Sequence, residues 1–345
     1  MSALKDKKIW IGLIISILCI AYFIKGIDWR QAWTIMESAQ YLWLIPAIIA
    51  FLISFYFRII RWQIFMDPIK KLPIKRLTPS LMIGFMGNSV LPARLGELIR
   101  PYVLAKKEQL SFSAALATVV IERIFDGICM LFLLAVVLMF FAPAISSNTD
   151  SFITLPKIQA ISYTFLAVNI AIIIFLYLLK KYPDKIVAMF RKIFRFLPVH
   201  WLDKLSHLLL SFVDGLHILH QPKQIILASI YSFGVWITSA IQILFVQYAF
   251  HLGSLPLSAP IFIMVIIAIG VMLPSAPGYV GPYHAACRGA LILLGVEINT
   301  AIGFAVILHA SQVIVIVLIG FYYLWREGLS LGETMHQMKV ERTKG

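Results

Sequence analysis

The sequence predicts an all-α polytopic membrane protein: about six spanning helices plus two re-entrant helical hairpins, arranged as an inverted repeat. Three observations predict it. Hydrophobic residues make up 61% of the 345 positions and charged residues 13%, against roughly half and a quarter in an average soluble domain. Two long apolar stretches, about 78–108 and 257–298, are interrupted near their middles by Pro and Gly. A shift of 182 residues then lays one interrupted stretch on the other. This composition excludes an ordinary soluble enzyme, a disordered protein and a nucleic-acid-binding domain. The net charge of +14 does not reverse that, because the basic residues lie between apolar runs, where they orient a membrane protein.

The first element is a retained anchor. Lys5, Lys7 and Lys8 precede an apolar run at 9–24, and no small-residue cleavage site follows it. Further apolar runs lie near 41–58, 117–142, 158–179, 224–250 and 300–325. A spanning helix needs about 20 apolar residues. Basic residues sort the loops. The stretch 58–76 carries Arg58, Arg61, Lys70, Lys71, Lys75 and Arg76, and 180–204 carries seven more Lys and Arg. The tail after Arg326 adds Lys339, Arg342 and Lys344. All three are expected in the cytoplasm, with both chain termini; 143–157 and 251–258, nearly free of charge, are expected outside.

That orientation dictates the two interrupted stretches. Residues 78–108 must begin and end on the cytoplasmic side, so they are expected to turn back near 91–96. Residues 257–298 must begin and end outside, with a turn near 274–281. Such backbone is tolerated at membrane depth only where protein or a water-filled cavity surrounds it. Under the 182-residue shift, Leu91-Pro92-Ala93-Arg94-Leu95-Gly96 falls on Leu273-Pro274-Ser275-Ala276-Pro277-Gly278, and Thr118 falls on Thr300. The repeat units are about 41–142 and 224–325, each a span, a hairpin and a span, in opposite orientation. Inverted repeats with broken helices at the midplane belong to transporters. The residues that shape the turns are Pro92, Gly96, Pro274, Pro277, Gly278 and Gly281. Residues 184–222 are read as amphipathic helices on the cytoplasmic surface, within a single domain at 1–330. Residues 331–345 form a polar tail.

Charges within the apolar stretches mark the candidate site. The first hairpin carries Asn88, Arg94, Glu97 and Arg100, the last three at steps of three that place them on one helix face. The next span opens with Glu122, Arg123 and Asp126, in which Glu122 and Asp126 face together and Arg123 can pair with Asp126. The second hairpin brings Tyr279, Tyr283, His284 and Arg288, and His309 lies in the last span. An arginine at the bilayer centre costs roughly 2.5–3.5 kcal/mol on insertion scales and needs a carboxylate, water or an anionic ligand. Two readings follow. The charges either pair with one another to lock the hairpin to its neighbour, or line a cavity that holds an anionic group. Arginine suits phosphate because its planar fork donates two parallel hydrogen bonds.

The runs Gly87-Asn88-Ser89-Val90-Leu91-Pro92-Ala93-Arg94-Leu95-Gly96-Glu97-Leu98-Ile99-Arg100 and Ala115 to Asp126, with Leu273-Pro274-Ser275-Ala276-Pro277-Gly278-Tyr279-Val280-Gly281, resemble the flippase-like membrane domain of lysylphosphatidylglycerol synthases and its stand-alone relatives. The third run reads Gly278-Tyr279 where the family has Gly-Gly. The resemblance covers about 8–325. It implies lipid handling in a prokaryotic inner membrane and two hairpins meeting near the midplane. The soluble aminoacyl-transferase domain of the full-length synthases has no counterpart before Gly345, so aminoacylation is not expected.

The functional expectation is a flippase or scramblase for a lipid with an anionic phosphate head, an anionic phospholipid or a polyprenyl-phosphate lipid. The substrate-binding candidates are Asn88, Arg94, Glu97, Arg100, Glu122, Arg123, Asp126, Tyr279, His284 and Arg288. The alternative is an integral membrane enzyme acting on a lipid-linked phosphate or sugar, with the same carboxylates as acid and base. No Walker-type, His-Glu-x-x-His or Gly-x-Ser-x-Gly motif is present. No catalytic residue, metal site, cofactor or nucleic-acid partner is expected; a homo-oligomer is compatible with the sequence.

Overall fold

The computed structural model describes residues 7–141, 155–193, 202–203, 206, 210, 222–273 and 275–332. Among these residues the chain is entirely helical. The helices are α1 (Lys7–Ile24), α2 (Trp29–Ser38), α3 (Leu44–Met66), α4 (Ile74–Val90), α5 (Gly96–Glu108) and α6 (Phe112–Phe141). They continue with α7 (Leu155–Lys181), α8 (Pro183–Ile193), α9 (Pro222–Ala249), α10 (Ala259–Gly270), α11 (Pro282–Leu293) and α12 (Ile298–Arg326). All six apolar runs of the sequence are helical. Among the described residues, three helices are long and apolar enough to cross a membrane: Tyr41–Met66, which includes a short lead-in turn, Pro222–Ala249 and Ile298–Arg326. Their outward faces are apolar. On α12, Ile314, Leu318, Phe321, Tyr322 and Trp325 are all exposed. A soluble protein could not leave such a stripe in water, whereas lipid accepts it.

One boundary differs from the sequence reading in a way that matters. The apolar run at 41–58 does not end at Arg58, because no Gly or Pro interrupts the chain between Pro46 and Pro68. The helix continues to Met66, so Arg58 and Arg61 belong to α3 and not to a basic loop. Both are buried.

The two interrupted stretches form helix pairs. α4 and α5 pack along each other on either side of the short turn Pro92–Arg94, and α10 and α11 do so around Pro277–Tyr279. Small residues allow the approach. A Cβ on Gly84 would lie 2.5 Å from the Arg100 Cβ, and one on Gly96 would overlap the Gly84 carbonyl. In the second pair, a Cβ on Gly270 would lie 2.5 Å from the Ala286 Cβ. Lipid tails are as apolar as leucine, so close packing of this kind, not solvent exclusion, binds helices within a membrane.

Polar contacts gather the helix ends into two groups. Glu108, at the end of α5, accepts from Lys70 and Arg76 at 3.2 and 3.1 Å, so α5 ends where α4 begins. Lys107 joins Glu327 at 2.6 Å and adds the end of α12 to that group. In the other group, the Gln40 amide donates to the Ala249 carbonyl at 2.9 Å. The Asp28 amide donates to Asn299 Oδ1 at 3.0 Å. The start of α2 therefore lies at the start of α12, and the end of α2 lies at the end of α9. Parts of two stretches assigned to the cytoplasm by charge, 67–76 out of 58–76 and the end of α12, share one group. The segment 251–258, assigned outside, directly follows α9 and so belongs to the other.

The segment 184–222 begins as α8, whose Met189 and Ile193 are exposed beside Lys185 and Lys192. Arg191 donates to Ser206 Oγ and Asp203 at 3.0 and 2.7 Å. Most of 194–221, residues 143–154 of the loop expected outside, the tail expected at 331–345 beyond Gly332, and Pro274 lie outside the described residues. Cys129 and Cys287 are buried, and Cys19 is half-buried.

Candidate functional site

The site starts from one face of α6. Thr118, Glu122 and Asp126 recur at four-residue steps and so line one stripe of the helix. That stripe packs on α3, where Trp62 donates its indole N–H to Thr118 at 2.9 Å. Next along, Arg61 donates to Asp126 at 2.6 Å and lies 3.2 Å from Glu122. Its other partner is Ser232 Oγ on α9, at 2.9 Å. Arg61 has no exposed surface, so its charge is met by these protein groups and not by water.

α5 enters from the far side. Arg100 donates to both oxygens of Glu122, at 3.1 and 2.8 Å, with its guanidinium 3.8 Å from the centre of the Trp62 ring. This fork-to-fork pairing carries directional and charge-assisted strength. Arg123 also reaches Glu122, at 2.6 Å, and Asp126, at 3.5 Å. Glu122, itself fully buried, thus holds three arginines from three helices. Breaking such a buried pair costs far more than forming it gains, because the remaining charge is left without water.

Beside this network is a cavity of about 490 Å³. Its polar wall includes Asn88, Arg94, Glu97, Arg123, Asp126 and Tyr279; much of the rest is aliphatic or aromatic, with Phe55, Phe85 and Trp236 among it. The two turns close one side. Arg94 sits in left-handed backbone, φ 54°. Its guanidinium donates to the Val271 carbonyl at the end of α10, and lies 5.4 Å from the centre of the Tyr279 ring. Glu97 is 3.8 Å away. Tyr279 also has positive φ, 59°. Gly278, φ 68°, passes so close to α4 that a Cβ would lie 3.1 Å from the Ser89 carbonyl. Gly281, φ 99°, is pressed on Ser16 of α1, whose hydroxyl accepts from the Ala276 amide at 2.7 Å. Positive φ explains Gly278 and Gly281 among the glycines that the sequence singled out; Gly96 is explained by its approach to the Gly84 carbonyl.

The ten candidates therefore divide. Asn88, Arg94, Glu97, Arg123, Asp126 and Tyr279 meet at the cavity. Arg100 and Glu122 stand behind it as ion-pair partners, so Arg94, Glu97 and Arg100 do not act from one face. Arg94 precedes α5, and Arg100 turns toward α6. Arg288 is elsewhere: it donates to the carbonyls of Tyr22 and Phe23 and closes the last turn of α1. His284 packs against Phe23 and His309, with ring centres 5.0 and 4.7 Å apart. His309 itself reaches the cavity wall, stacked on Tyr283 at 4.3 Å. Tyr283 and Gln312 hydrogen-bond at 3.1 Å, and Gln312 donates to Gln242 at 3.0 Å.

Sequence reasoning missed Arg58, Arg61 and Trp236. The signal for the first two was the unbroken helix-forming run to Met66, with Phe55, Arg58 and Trp62 at steps of three and four. Trp236 donates to Asp126 at 3.2 Å; nothing in its local sequence announces that partner, which is 110 residues distant.

A family model for the lysylphosphatidylglycerol synthase TM region matches residues 9–320. The chain belongs to this family. A UPF0104 membrane protein of Methanocaldococcus jannaschii is 28% identical over 238 residues, 68% of this chain and 90% of that protein. Glycosyltransferase AglD of Haloferax volcanii is 27% identical over 131 residues, 37% of this chain but only 20% of AglD's own length. Membership spans α1 to α12, so the hairpin-like pairs and the α6 carboxylates fall inside the family's membrane region.

Proposed function

We propose that the protein is a lipid transporter, a flippase or scramblase that receives an anionic phosphate head group in the cavity beside α6. One observation carries this reading: three arginines, Arg58, Arg94 and Arg123, line an otherwise largely apolar cavity inside a membrane protein. Apolar walls suit acyl or prenyl chain, and a fixed guanidinium array suits phosphate. The α4–α5 and α10–α11 pairs act as re-entrant hairpins entering from opposite faces, and the units 41–142 and 224–325 as an inverted repeat. Their turns lie side by side, which supports a substrate site between them and alternating access by rocking of one unit on the other. In this reading the protein resides in a prokaryotic inner membrane, in keeping with its family, and has both termini in the cytoplasm, an orientation that its basic loops support. In this reading the two accounts of the charges combine. Glu122, Arg61 and Arg100 lock the helices, and Arg94 and Arg123 meet the substrate.

Reconstitution into proteoliposomes tests it, with labelled phosphatidylglycerol, phosphatidylcholine and a polyprenyl phosphate. The expected result is faster movement of an anionic lipid, reduced at least about tenfold in Arg94→Ala, a difference of roughly 1.4 kcal/mol. Unchanged transport by that variant removes Arg94 from the site. No movement of any lipid by folded wild-type protein removes the transport reading.

A second reading, an integral membrane enzyme acting on a lipid-linked phosphate or sugar, draws on the partial match to a glycosyltransferase and on Glu97 and Asp126 in the cavity wall. Chemical change of a lipid in the same vesicles would favour it.

A further inference from the structure

The five arginines at the site are not matched by its carboxylates. Arg58, Arg61, Arg94, Arg100 and Arg123 stand against Glu97, Glu122 and Asp126, a surplus of two positive charges. The surplus can be placed. Arg94 and Glu97 balance each other. Glu122 and Asp126 are shared by Arg61, Arg100 and Arg123, which leaves one charge over. The second is Arg58. It is 9% exposed, makes no ion pair among the described residues, and has a buried Nε with no hydrogen-bond partner. It lines the cavity, with its guanidinium 5.3–5.8 Å from the centres of the Phe55, Phe85 and Trp236 rings.

Aromatic faces attract a cation but leave its in-plane N–H donors unused. Asp126 forms no ion pair with Arg58: its Oδ1 accepts from Arg61 and from Trp236, and its Oδ2 lies 3.5 Å from Arg123. A buried cation with free donors is costly unless an anion completes it. Two surplus charges are completed by two negative charges.

We propose that the cavity takes a dianionic phosphate group, a lipid phosphomonoester or pyrophosphate, and that Arg58 is the arginine that receives it. The inference rests on the lipid-binding reading above and narrows its substrate class. A phosphodiester lipid carries one negative charge on its phosphate and leaves the other surplus charge bare. A zwitterionic head group brings a cation into a site already positive.

Equilibrium binding to the purified protein at pH 8 tests this. A phosphomonoester loses its second proton near pH 6 and is dianionic at pH 8. The ligands are phosphatidic acid, phosphatidylglycerol and phosphatidylcholine with identical acyl chains, together with inorganic phosphate and pyrophosphate. Wild-type protein is expected to bind phosphatidic acid roughly tenfold more tightly than phosphatidylglycerol. The gap is expected to close in Arg58→Gln and to persist in Arg58→Lys, which keeps the charge. Equal affinities in the wild type, a comparison that needs no variant, overturn the proposal. So does an undiminished gap in folded Arg58→Gln. Inorganic phosphate or pyrophosphate binding as tightly as the lipid, with the same Arg58 dependence, upholds the dianion site and overturns the lipid as its source. The transport assay separates the two readings. A tenfold binding gap with no lipid movement retains the dianion site and removes transport; movement of lipids without a binding gap does the reverse.

Discussion

Glu122 is the residue on which the buried charges depend. It is fully buried, accepts from Arg100 through both oxygens, and lies within 3.2 Å of Arg61 and 2.6 Å of Arg123. Glu122→Gln leaves Arg61 and Arg123 with Asp126 as their remaining close carboxylate, and leaves Arg100 with no ion pair among the described residues. We expect a loss of about 3–5 kcal/mol in stability, the cost of stranding a buried charge, read as a fall in Tm of the detergent-solubilised protein. Glu97→Gln removes a carboxylate that is partly exposed and 3.8 Å from its arginine. Its cost is expected to be no more than about 1 kcal/mol. Equal losses from the two substitutions would show that Glu122 does not organise the network. Replacing Arg61 alone with Met is expected to be less damaging than removing Glu122, because Arg100 and Arg123 still balance both acids.

At the scale of elements, the α4–α5 pair depends on the absence of side chains. A Cβ on Gly84 meets the Arg100 Cβ at 2.5 Å, and the atom that would have to move belongs to a helix held by Glu122. Gly84→Ala is therefore expected to cost roughly 1–3 kcal/mol through overpacking. Gly332→Ala, where no atom lies within 4 Å, is expected to be neutral, and the comparison of the two Tm values checks the contrast. Both helix pairs were legible in the sequence because Pro and Gly interrupt apolar runs. The end of α3 was not read correctly. A charge normally ends an apolar run, and local pattern cannot tell a helix that stops at Arg58 from one that buries Arg58 among aromatic rings and Arg61 against acids 60 or more residues away.

At the scale of the whole molecule, the two groups of helix ends make a prediction about access. Single cysteines at Lys75 and Lys106, on a background free of Cys19, Cys129 and Cys287, are expected to react with an impermeant maleimide from one face of the membrane. A cysteine at Ser254 is expected to react from the other. Both lysines and Ser254 are exposed. Lys75 and Lys106 reacting from opposite faces would mean that α4 and α5 together cross the bilayer and would remove the re-entrant reading of 78–108.

The sequence by itself determined the class of the protein, the order of its helices, the two interrupted stretches and six of the residues that meet at the cavity. Those features follow from composition, periodicity and backbone stereochemistry, all of which act over a few neighbouring residues. Only the tertiary structure decided which charges are spent on one another and which remain. Arg100 and Arg94 are six residues apart and look alike in sequence, yet one is consumed by Glu122 and the other faces the cavity. Arg288 looked like a ligand and instead caps α1. Arg58 looked like a loop charge and is the unpaired cation among aromatic rings. Electrostatic pairing acts through space at a few ångströms, so its outcome depends on how α3, α5, α6 and α9 pack, which no local pattern encodes.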